Sequence, residues 1–489
     1  MKKAVIIGAG VSGLTAGIFL AQAGFDTTVI EKNKDTGGNL TGWDRDGYHI
    51  DNCIHWLTGT RAGTKLFSLW KTVGALENTD IIQPYALFTS EKDGESVSFL
   101  YDVDKSRAQM IKTSYKDKDE VNRFFNAVCA FAEYTKGNKN PANMLKMASA
   151  AVRYGRMSLS ELSQQISSPL LRCAITDYIG AEFSSLGLIL AYSAFVSGNG
   201  GIPRGSSCEM AKRITSKYLS SGGKIVNCCE AEKIVTGNKK ASGVLAKDKR
   251  FFPADFVIAA CDTAVTISKL LEKNAMPQKL RYSYSKRKEF PVFSAFHTAI
   301  SADTDILPFK GTVSFDIDPM EIDGRVLSRL TIREFSHEKS FAPNGKSLIQ
   351  CLIFLHERTC RQWIELKKIS NEEYKAEKEE TAAEILTRIE HHYPELKGKL
   401  KTIDTWTPAT YKRYLDSYAG SFMSFAVTGK KIPLQSEITA NGYSNVVIAG
   451  QWTKAPGGLP IALESGIKAA KKVISLSNAK NHSRKASAL

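Results

Sequence analysis

Three glycines near the amino terminus, Gly8, Gly10 and Gly13, have the spacing G-x-G-x-x-G, and Glu31 follows 18 residues after the last of them. Such glycines allow a tight turn and a close approach of the backbone to an anionic group. The N–H groups and the dipole at the start of a following helix favour a phosphate at that point. A carboxylate at this distance accepts a hydrogen bond from a ribose hydroxyl. This spacing therefore predicts binding of a dinucleotide.

The elements that would position these residues occur in the required order. Residues 3–7 read as a short buried strand, residues 12–23 have helical character and end at Gly24, and residues 26–30 read as a second strand that leads into Glu31. This order, in which a strand is followed by a glycine turn, a helix, a second strand and an acidic residue, is typical of the βαβ unit that binds a nucleotide. A turn that is merely rich in glycine would not require the other elements.

Two further glycine pairs predict additional places where backbone approaches a ligand. Gly37 and Gly38 follow Glu31 in the pattern E-x5-G-G. Near the carboxyl terminus, the stretch NVVIAGQWTKAPGGLPIALESG places a second pair, Gly457 and Gly458, between an apolar strand and a helix start. Pro460 suits the first turn of that helix.

With these segments the chain resembles the FAD-dependent oxidoreductases of the amine oxidase and phytoene desaturase superfamily. Similar segments run from Gly198 to Val226, from Ala231 to Asp262 and from Thr407 to Phe425. The resemblance implies an α/β fold with a Rossmann-like FAD-binding domain of the GR2 type and a discontinuous mixed α+β substrate domain. In this family the amino-terminal segment binds the adenine half of FAD, and the carboxyl-terminal segment contacts the ribityl chain and isoalloxazine ring.

The resemblance implies FAD as the cofactor and assigns residues to it. These are Gly8, Gly10, Val11, Ser12, Gly13, Glu31, Lys32, Gly37, Gly38, Asn39, Gly450, Gln451, Trp452, Gly457, Gly458, Leu459 and Pro460. Two positions depart from the family pattern. Asn39 stands where the family usually has an arginine, and Cys53 stands where the family tends to have a glycine two residues after Asp51.

The function implied by the resemblance is an FAD-dependent oxidoreductase that acts on CH–CH or C=C bonds of a hydrophobic isoprenoid, polyene or lipid substrate. Hydride exchange with flavin N5 would desaturate, saturate or isomerise the substrate. A hydrocarbon offers little to acid or base groups, which agrees with the lack of a Ser/His/Asp or paired-carboxylate motif. The alternatives are an amine or amino-acid oxidase and a redox-neutral flavin-dependent isomerase. Direction, electron acceptor and oligomeric state remain open.

Catalytic residues are not assigned, but five side chains are candidates for the cavity wall. His55 and Trp56 could line the reactive face of the flavin or could pack under their loop. Tyr411, Arg413 and Tyr414 are candidates for a polar edge on the opposite side.

Length favours more than one domain, since 489 residues exceed what a single hydrophobic core usually supports. Residues 1–70, 200–265 and 420–476 are predicted to form the FAD-binding domain, and residues 71–199 and 266–419 the substrate domain. Residues 477–489, with Lys480, Arg484 and Lys485, are predicted to form a basic flexible tail.

Net charge and cysteine content limit the classes of partner, the compartment and the metal sites that we expect. The net charge of +16 suits an anionic cofactor or an acidic lipid surface, and nucleic acid is not expected because the basic residues form no arm or aromatic-interleaved stripe. Nine cysteines without metal-ligand spacing predict a reduced cytoplasmic protein with no metal site. No apolar run reaches the roughly 18 residues that span a bilayer.

One segment bears on access of the substrate. Residues 141–157 read as an amphipathic helix in which Met144, Leu145 and Val152 accompany Lys146, Arg153 and Arg156. Such a helix can bind an anionic membrane surface, which would place the protein peripherally on the inner face of the membrane. Such helices more often cap a hydrophobic core.

Overall fold

The computed structural model describes residues 1–322, 324–429, 431 and 435–486. The strands, in chain order, are β1 (Lys3–Ile7), β2 (Asp26–Ile30), β3 (Gly42–Arg45), β4 (Tyr48–Asp51), β5 (Leu57–Thr58), β6 (Ile81–Ile82), β7 (Ala86–Lys92), β8 (Glu95–Leu100), β9 (Gly200–Pro203), β10 (Lys224–Val226), β11 (Ala231–Gly237), β12 (Lys240–Ala246), β13 (Phe251–Pro253), β14 (Phe256–Ala259), β15 (Phe293–Ala302), β16 (Thr312–Ile322), β17 (Arg325–Glu334), β18 (Ser347–His356), β19 (Leu400–Trp406) and β20 (Val446–Ile448). The α-helices are α1 (Val11–Gln22), α2 (Lys65–Thr72), α3 (Val103–Thr113), α4 (Lys118–Thr135), α5 (Pro141–Tyr154), α6 (Leu159–Ser163), α7 (Pro169–Asp177), α8 (Ser185–Val196), α9 (Ser206–Ser220), α10 (Thr263–Val265), α11 (Gln278–Ser285), α12 (Glu357–Ile369), α13 (Asn371–His392), α14 (Pro408–Leu415) and α15 (Leu459–Ala486).

A five-stranded parallel sheet in the order β10-β2-β1-β14-β20 organises the first part of the structure, the parallel-sheet part. Residues 4–7 of β1 and all of β14 are continuous apolar runs, as expected for strands with both faces covered, whereas β2 begins with three polar residues. Leu14, Met210 and Leu463 of α1, α9 and α15 belong to the buried cluster on one face. The small antiparallel sheet β11-β12-β13 contributes Ile234 and Val244 to the buried cluster on the other face.

A seven-stranded sheet in the order β19-β15-β18-β17-β16-β7-β8 forms the second part. Side chains alternate along β15 and β18, so that Phe296 and Ile353 pack with Trp363 of α12 and Ile385 of α13 on one face. Helices α4, α7 and α8 bury their apolar side chains with those of β7 and β8 in a separate cluster. The opposite face of β15 and β18 is left to face the parallel-sheet part.

The strands of the parallel sheet come from the three segments predicted to bind FAD. Those of the seven-stranded sheet come from residues 71–199 and 266–419. The parallel sheet with flanking helices confirms the predicted α/β class. The domain boundaries themselves stay a prediction.

Two helix boundaries differ from expectation. Helix α5 ends at Tyr154, where Gly155 caps it, rather than at residue 157. Helix α15 continues through Ala486, so that most of the predicted flexible tail is helical, and residues 487–489 lie outside the described part of the chain. The sequence after Gly466 contains no glycine or proline that would end the helix earlier. In the described residues, no helix combines the length and apolar character needed to cross a membrane.

Candidate functional site

A cavity of about 610 Å³ lies at the carboxyl edge of the parallel sheet. Gly8 follows β1, Glu31 follows β2, Ala260 follows β14 and Gly450 lies just beyond β20, and all four line the cavity. This edge is where open α/β sheets bind their ligands, since the loops after parallel strands converge there. The far side of the cavity is formed by Leu352 of β18 and other residues of the second part.

The cavity brings together nearly all of the side chains and turns that the sequence singled out. Its wall includes Gly8, Gly10, Val11, Ser12, Glu31, Lys32, Gly37, Gly38, Asn39, His55, Trp56, Tyr411, Tyr414, Gly450, Gln451, Trp452, Gly457, Gly458, Leu459 and Pro460. Gly13 and Arg413 are not part of this wall.

The glycines before α1 have different physical roles. A Cβ on Gly13 would lie 2.0 Å from the carbonyl oxygen of Gly8, so this glycine allows helix and strand to pack closely. A Cβ on Gly10 would lie 3.8 Å from Gly37 O and 4.0 Å from Gly38 Cα, which are ordinary contact distances. Protein atoms therefore do not require glycine at position 10, and the space that a side chain there would occupy is the cavity.

The carboxylate of Glu31 is buried and held in a fixed orientation. Its Oε2 accepts a hydrogen bond from Ala9 N at 2.7 Å, and its Oε1 accepts from Asn33 N at 2.9 Å and Asn33 Nδ2 at 3.0 Å. A carboxylate offers about four lone-pair positions, so an acceptor site remains for a hydroxyl in the cavity.

The carboxyl-terminal wall is shaped by three glycines with positive φ, Gly450 at 129°, Gly457 at 88° and Gly458 at 84°. Gln451 fastens this turn, since its Oε1 accepts from Gly458 N at 3.0 Å and its Nε2 donates to Phe422 O at 3.1 Å. Side chains are disfavoured at positive φ, so this turn presents backbone to the cavity. Helix α15 begins directly afterwards.

One polar group in the wall has no partner. Ser417 is one of the residues that line the cavity, and its hydroxyl oxygen is buried and makes no hydrogen bond among the described residues. A buried hydroxyl without a partner costs free energy unless a ligand satisfies it. Together with the space at Gly10 and the fixed carboxylate of Glu31, this hydroxyl makes the wall fit the polar, phosphate-bearing part of FAD. Sequence reasoning missed Ser417, because the resemblance of the segment from Thr407 to Phe425 to the family assigned no cofactor contact to this position.

At the other end of the cavity, Tyr411 is the centre of a buried polar network. Its hydroxyl lies 2.9 Å from Asn52 Oδ1 and 3.0 Å from His297 Nε2, and it accepts a hydrogen bond from Trp406 Nε1 at 3.1 Å. The imidazole of His297 stacks on Trp406 with ring centroids 4.6 Å apart and planes 5° apart. His297 was not predicted, because it lies on β15, far in sequence from the other wall residues.

Titratable side chains at this end are held in their neutral forms. Burial, with a smaller contribution from the nearby His55, lowers the pKa of His297 to about 3. His55 lines the cavity and keeps accessible surface, and desolvation, with the Arg333 charge beside it, lowers its pKa to about 3. Burial also raises the pKa of the Tyr411 hydroxyl and of the Cys53 thiol. No charge is therefore expected on these groups at neutral pH.

The charged side chains of the wall cluster at the end of the cavity that contains Glu31, which is the end predicted to hold the nucleotide and is named the nucleotide end. Glu31, Glu230, Lys269 and Asp416 all lie within electrostatic reach of Lys32 and line the cavity with it. The two ends of the cavity thus differ in chemistry, one charged and one neutral.

The predicted polar edge on α14 is divided by helical geometry. Tyr411 points into the cavity, whereas Arg413, two residues along the helix, faces away from it, as a 3.6-residue period requires. The Arg413 guanidinium lies over the ring of Tyr414 at 5.2 Å, and its carbonyl accepts a hydrogen bond from Lys32 Nζ at 3.1 Å. Tyr414 does line the cavity, but it is half exposed.

Acid sensitivity should follow from His297. In the unfolded chain, His297 takes up a proton below its ordinary pKa of 6.5. In the folded protein it takes up a proton only below a pKa of about 3. Between these two pH values the proton favours the unfolded chain, so the free energy of unfolding decreases as the pH falls. We expect the free energy of unfolding of the wild type to fall, relative to that of His297→Gln, by about 1.4 kcal/mol per pH unit across most of this interval. Urea unfolding at a series of pH values measures the difference. Parallel curves for the two proteins would contradict it.

Comparison with known proteins assigns this architecture to a family. The sequence model for flavin containing amine oxidoreductases matches residues 11–474. Prolycopene isomerase 1 of an Oncidium hybrid cultivar is 24% identical over 451 residues, covering 86% of this chain and 74% of that protein. A lycopene-forming phytoene desaturase of Paracoccus sp. is 24% identical over 452 residues, covering 86% and 87%. A 4,4'-diaponeurosporene oxygenase of Staphylococcus aureus is 21% identical, covering 96% and 98%.

Solved structures agree at the level of the fold. An oxidoreductase from Methanosarcina mazei superposes with a TM-score of 0.63 at 20% identity, covering 95% of this chain and all of the other. Putrescine oxidase with bound putrescine superposes with a TM-score of 0.58 at 16% identity, covering 97% and 99%. These similarities confirm the predicted flavoprotein fold.

Proposed function

The chain belongs to the flavin containing amine oxidoreductase family, and from that premise we propose that it is an FAD-dependent oxidoreductase acting on CH–CH or C=C bonds of a hydrophobic polyene. Its similarity to proteins named prolycopene isomerase and phytoene desaturase supports a polyene rather than an amine. The cofactor of the family is a flavin, and the residues around Gly10, Glu31 and Ser417 fit FAD.

The observation that carries the choice of substrate is the neutral end of the cavity. His55, Trp56, His297, Leu352 and Tyr411 line it, and the pKa values of its histidines and tyrosine are shifted toward the uncharged forms. A protonated amine placed there would lose its hydration without meeting a carboxylate, which costs several kcal/mol. An apolar chain has no charge to desolvate, and its transfer from water into the cavity is favourable.

An oxidase for amino acids would need a cation for the substrate carboxylate, and Arg333 is a buried cation whose charge acts on His55. Its guanidinium donates to Ile54 O at 3.3 Å and lies over the Phe335 ring at 4.8 Å. It is not part of the described cavity wall. Arg333 is therefore a structural cation that supports the turn before His55.

The roles of the chain's own residues follow from this geometry. Bound FAD supplies the hydride chemistry. The glycine turns at 8–10 and 457–458 hold its position with backbone, and Glu31 orients the ribose. The network of Tyr411, Asn52, His297 and Trp406 forms a rigid, uncharged wall against which the double bond is placed. Excluding water at this wall prevents competing reactions of a reactive carbon centre.

Product analysis tests the proposal and determines the direction. The holoprotein is incubated with a polyene of defined geometry, once with oxidised and once with chemically reduced flavin, and the polyene is then separated and its mass measured. Loss of two hydrogens indicates desaturation, gain of two indicates saturation, and a new isomer of equal mass indicates isomerisation. An unchanged polyene under both conditions would contradict the proposal.

We propose further that α5 contacts an anionic membrane surface, from which an apolar substrate could enter. Met144, Leu145 and Val152 are 53%, 72% and 82% exposed, an unusual concentration of apolar side chains on one short helix. Lys146 and Arg156 are exposed beside them. Of the basic residues predicted for this face, Arg153 is instead turned to Glu120, 2.7 Å away.

This surface predicts a specific loss of membrane binding. Replacing Leu145 and Val152 together by glutamate should weaken sedimentation with anionic liposomes at low salt by tenfold or more, because it removes apolar contact area and adds repulsion. The matched control replaces Ile306 and Val326, which are 81% and 72% exposed elsewhere, by glutamate. Wild-type protein that stays in the supernatant, or equal loss in both pairs, would contradict the membrane contact.

A further inference from the structure

The neutral end of the cavity continues along one face of the seven-stranded sheet. Antiparallel pairing of β15 and β18 places His297 opposite Leu352, Ala295 opposite Phe354 and Phe293 opposite His356. Directly opposed residues share a face, so all three pairs lie on the face that lines the cavity. From Leu352 to His356 this face extends about 14 Å further from the nucleotide end.

Aromatic rings occupy this continuation. The ring of Phe354 lies 6.5 Å from that of Phe422, which lines the cavity, and 6.3 Å from that of Phe183. Phe183 in turn lies 5.5 Å from Phe293. Beyond these rings, His356 Nε2 and Glu182 Oε1 are 3.1 Å apart, and the Glu182 side chain is 56% exposed. The row of rings therefore runs from the cavity wall to the protein surface.

Most rings of this row are less buried than the side chains of a hydrophobic core. On the opposite face of the same strands, Phe296 and Leu355 are completely buried. Within the row Phe293 is buried, but Phe183, Phe354 and Phe422 are each only partly buried, although they lie between two parts of the chain. Rings without full packing around them can change rotamer at little cost, since few contacts are lost.

The volume of the cavity indicates a function for these rings. About 610 Å³ is within the range of roughly 300–1,000 Å³ that holds one ligand of moderate size. FAD together with a long polyene needs more space than that. The apolar, partly buried row beyond Leu352 is the direction in which the additional length can be accommodated without burying an unpaired polar group.

We propose that Phe354, between Phe422 and Phe183, sets how far an apolar chain extends past the flavin, and that the passage it controls ends at His356 and Glu182. This inference rests on the proposed function in that it assumes a long apolar substrate. It adds a residue that determines chain-length selectivity, which neither the motifs nor the family comparison identify.

The test uses the flavin-loaded protein and n-alkanols of increasing length, whose binding is followed by the change in flavin absorbance. Phe354→Ala should raise the ratio of long-chain to short-chain affinity about tenfold, the gain expected from burying about two more methylene groups. Phe354→Trp should lower the ratio. The matched control is Phe296→Ala on the opposite face of the sheet, or Phe296→Leu if the alanine variant does not fold, and neither should change the ratio.

Alkanol binding does not depend on turnover, so the two proposals fail separately. Polyene that the wild type leaves unchanged would contradict the proposed function, whereas the alkanol ratios would still decide the role of Phe354. A ratio that stays within twofold of wild type in both Phe354 variants, while flavin is retained, would overturn the inference.

Discussion

Valine in place of Gly10 is expected to give a protein that folds like the wild type and purifies without flavin. The Cβ at this position meets protein atoms only at 3.8 Å and beyond, so the apoprotein has room for it. The side chain would instead fill the part of the cavity where backbone must approach the pyrophosphate. Overpacking of this kind typically costs about 1–3 kcal/mol, so FAD affinity should fall up to about a hundredfold. Flavin content after purification and FAD titration of the apoprotein measure the effect.

Gly13 provides the contrast. Alanine there would place a Cβ at 2.0 Å from the Gly8 carbonyl oxygen, so Gly13→Ala should lower the thermal stability of the apoprotein, which Gly10→Val should not. If Gly10→Val purified with a full complement of flavin, the cofactor would not lie against the first glycine turn.

The second large effect concerns the binding of a charged ligand at the neutral end of the cavity. An n-alkylamine should bind to the flavin-loaded protein at least about a hundredfold more weakly at neutral pH than the n-alkanol of the same length, because the ammonium loses several kcal/mol of hydration and finds no carboxylate. The difference should shrink at high pH, where the amine is neutral. Both affinities are measured from the change in flavin absorbance. Equal binding at neutral pH would mean that an anionic group or an aromatic cage receives the ammonium.

Most of the residues predicted to bind the nucleotide lie together in the cavity wall, because the pattern that marked them is local. The glycines at 8, 10 and 13, the acid Glu31 and the pair Gly37 and Gly38 all belong to one βαβ segment, whose chemistry and geometry are fixed within about 30 residues. The carboxyl-terminal turn was found for the same reason, since its glycines, proline and helix start stand together.

The substrate half could not be predicted in this way, because strand pairing over long distances creates it. His297 reaches the cavity only through the pairing of β15 with β18 and β19, and Trp406 becomes its stacking partner through that same sheet. Phe354 lies in a segment without a motif, and Ser417 lies in the segment from Thr407 to Phe425, where the resemblance assigned no cofactor contact to it.

Arg413 illustrates a different limit. Tyr411, Arg413 and Tyr414 were grouped because they are close in sequence, yet residues two apart on a helix point in nearly opposite directions. Residues 408–415 form a helix, and helical geometry alone is enough to separate Tyr411 from Arg413, whatever the rest of the fold.

The central claim is that this flavin site acts on a carbon–carbon bond of an apolar polyene and not on an amine. The most direct measurement mixes the purified holoprotein with a polyene or with an alkyl amine, in parallel, and follows the flavin spectrum, the polyene and the hydrogen peroxide formed in air. We expect the polyene to be converted in at least one oxidation state of the flavin, and the amine to leave the flavin oxidised without peroxide. Flavin reduction and peroxide production with the amine, beside an unchanged polyene, would contradict the account.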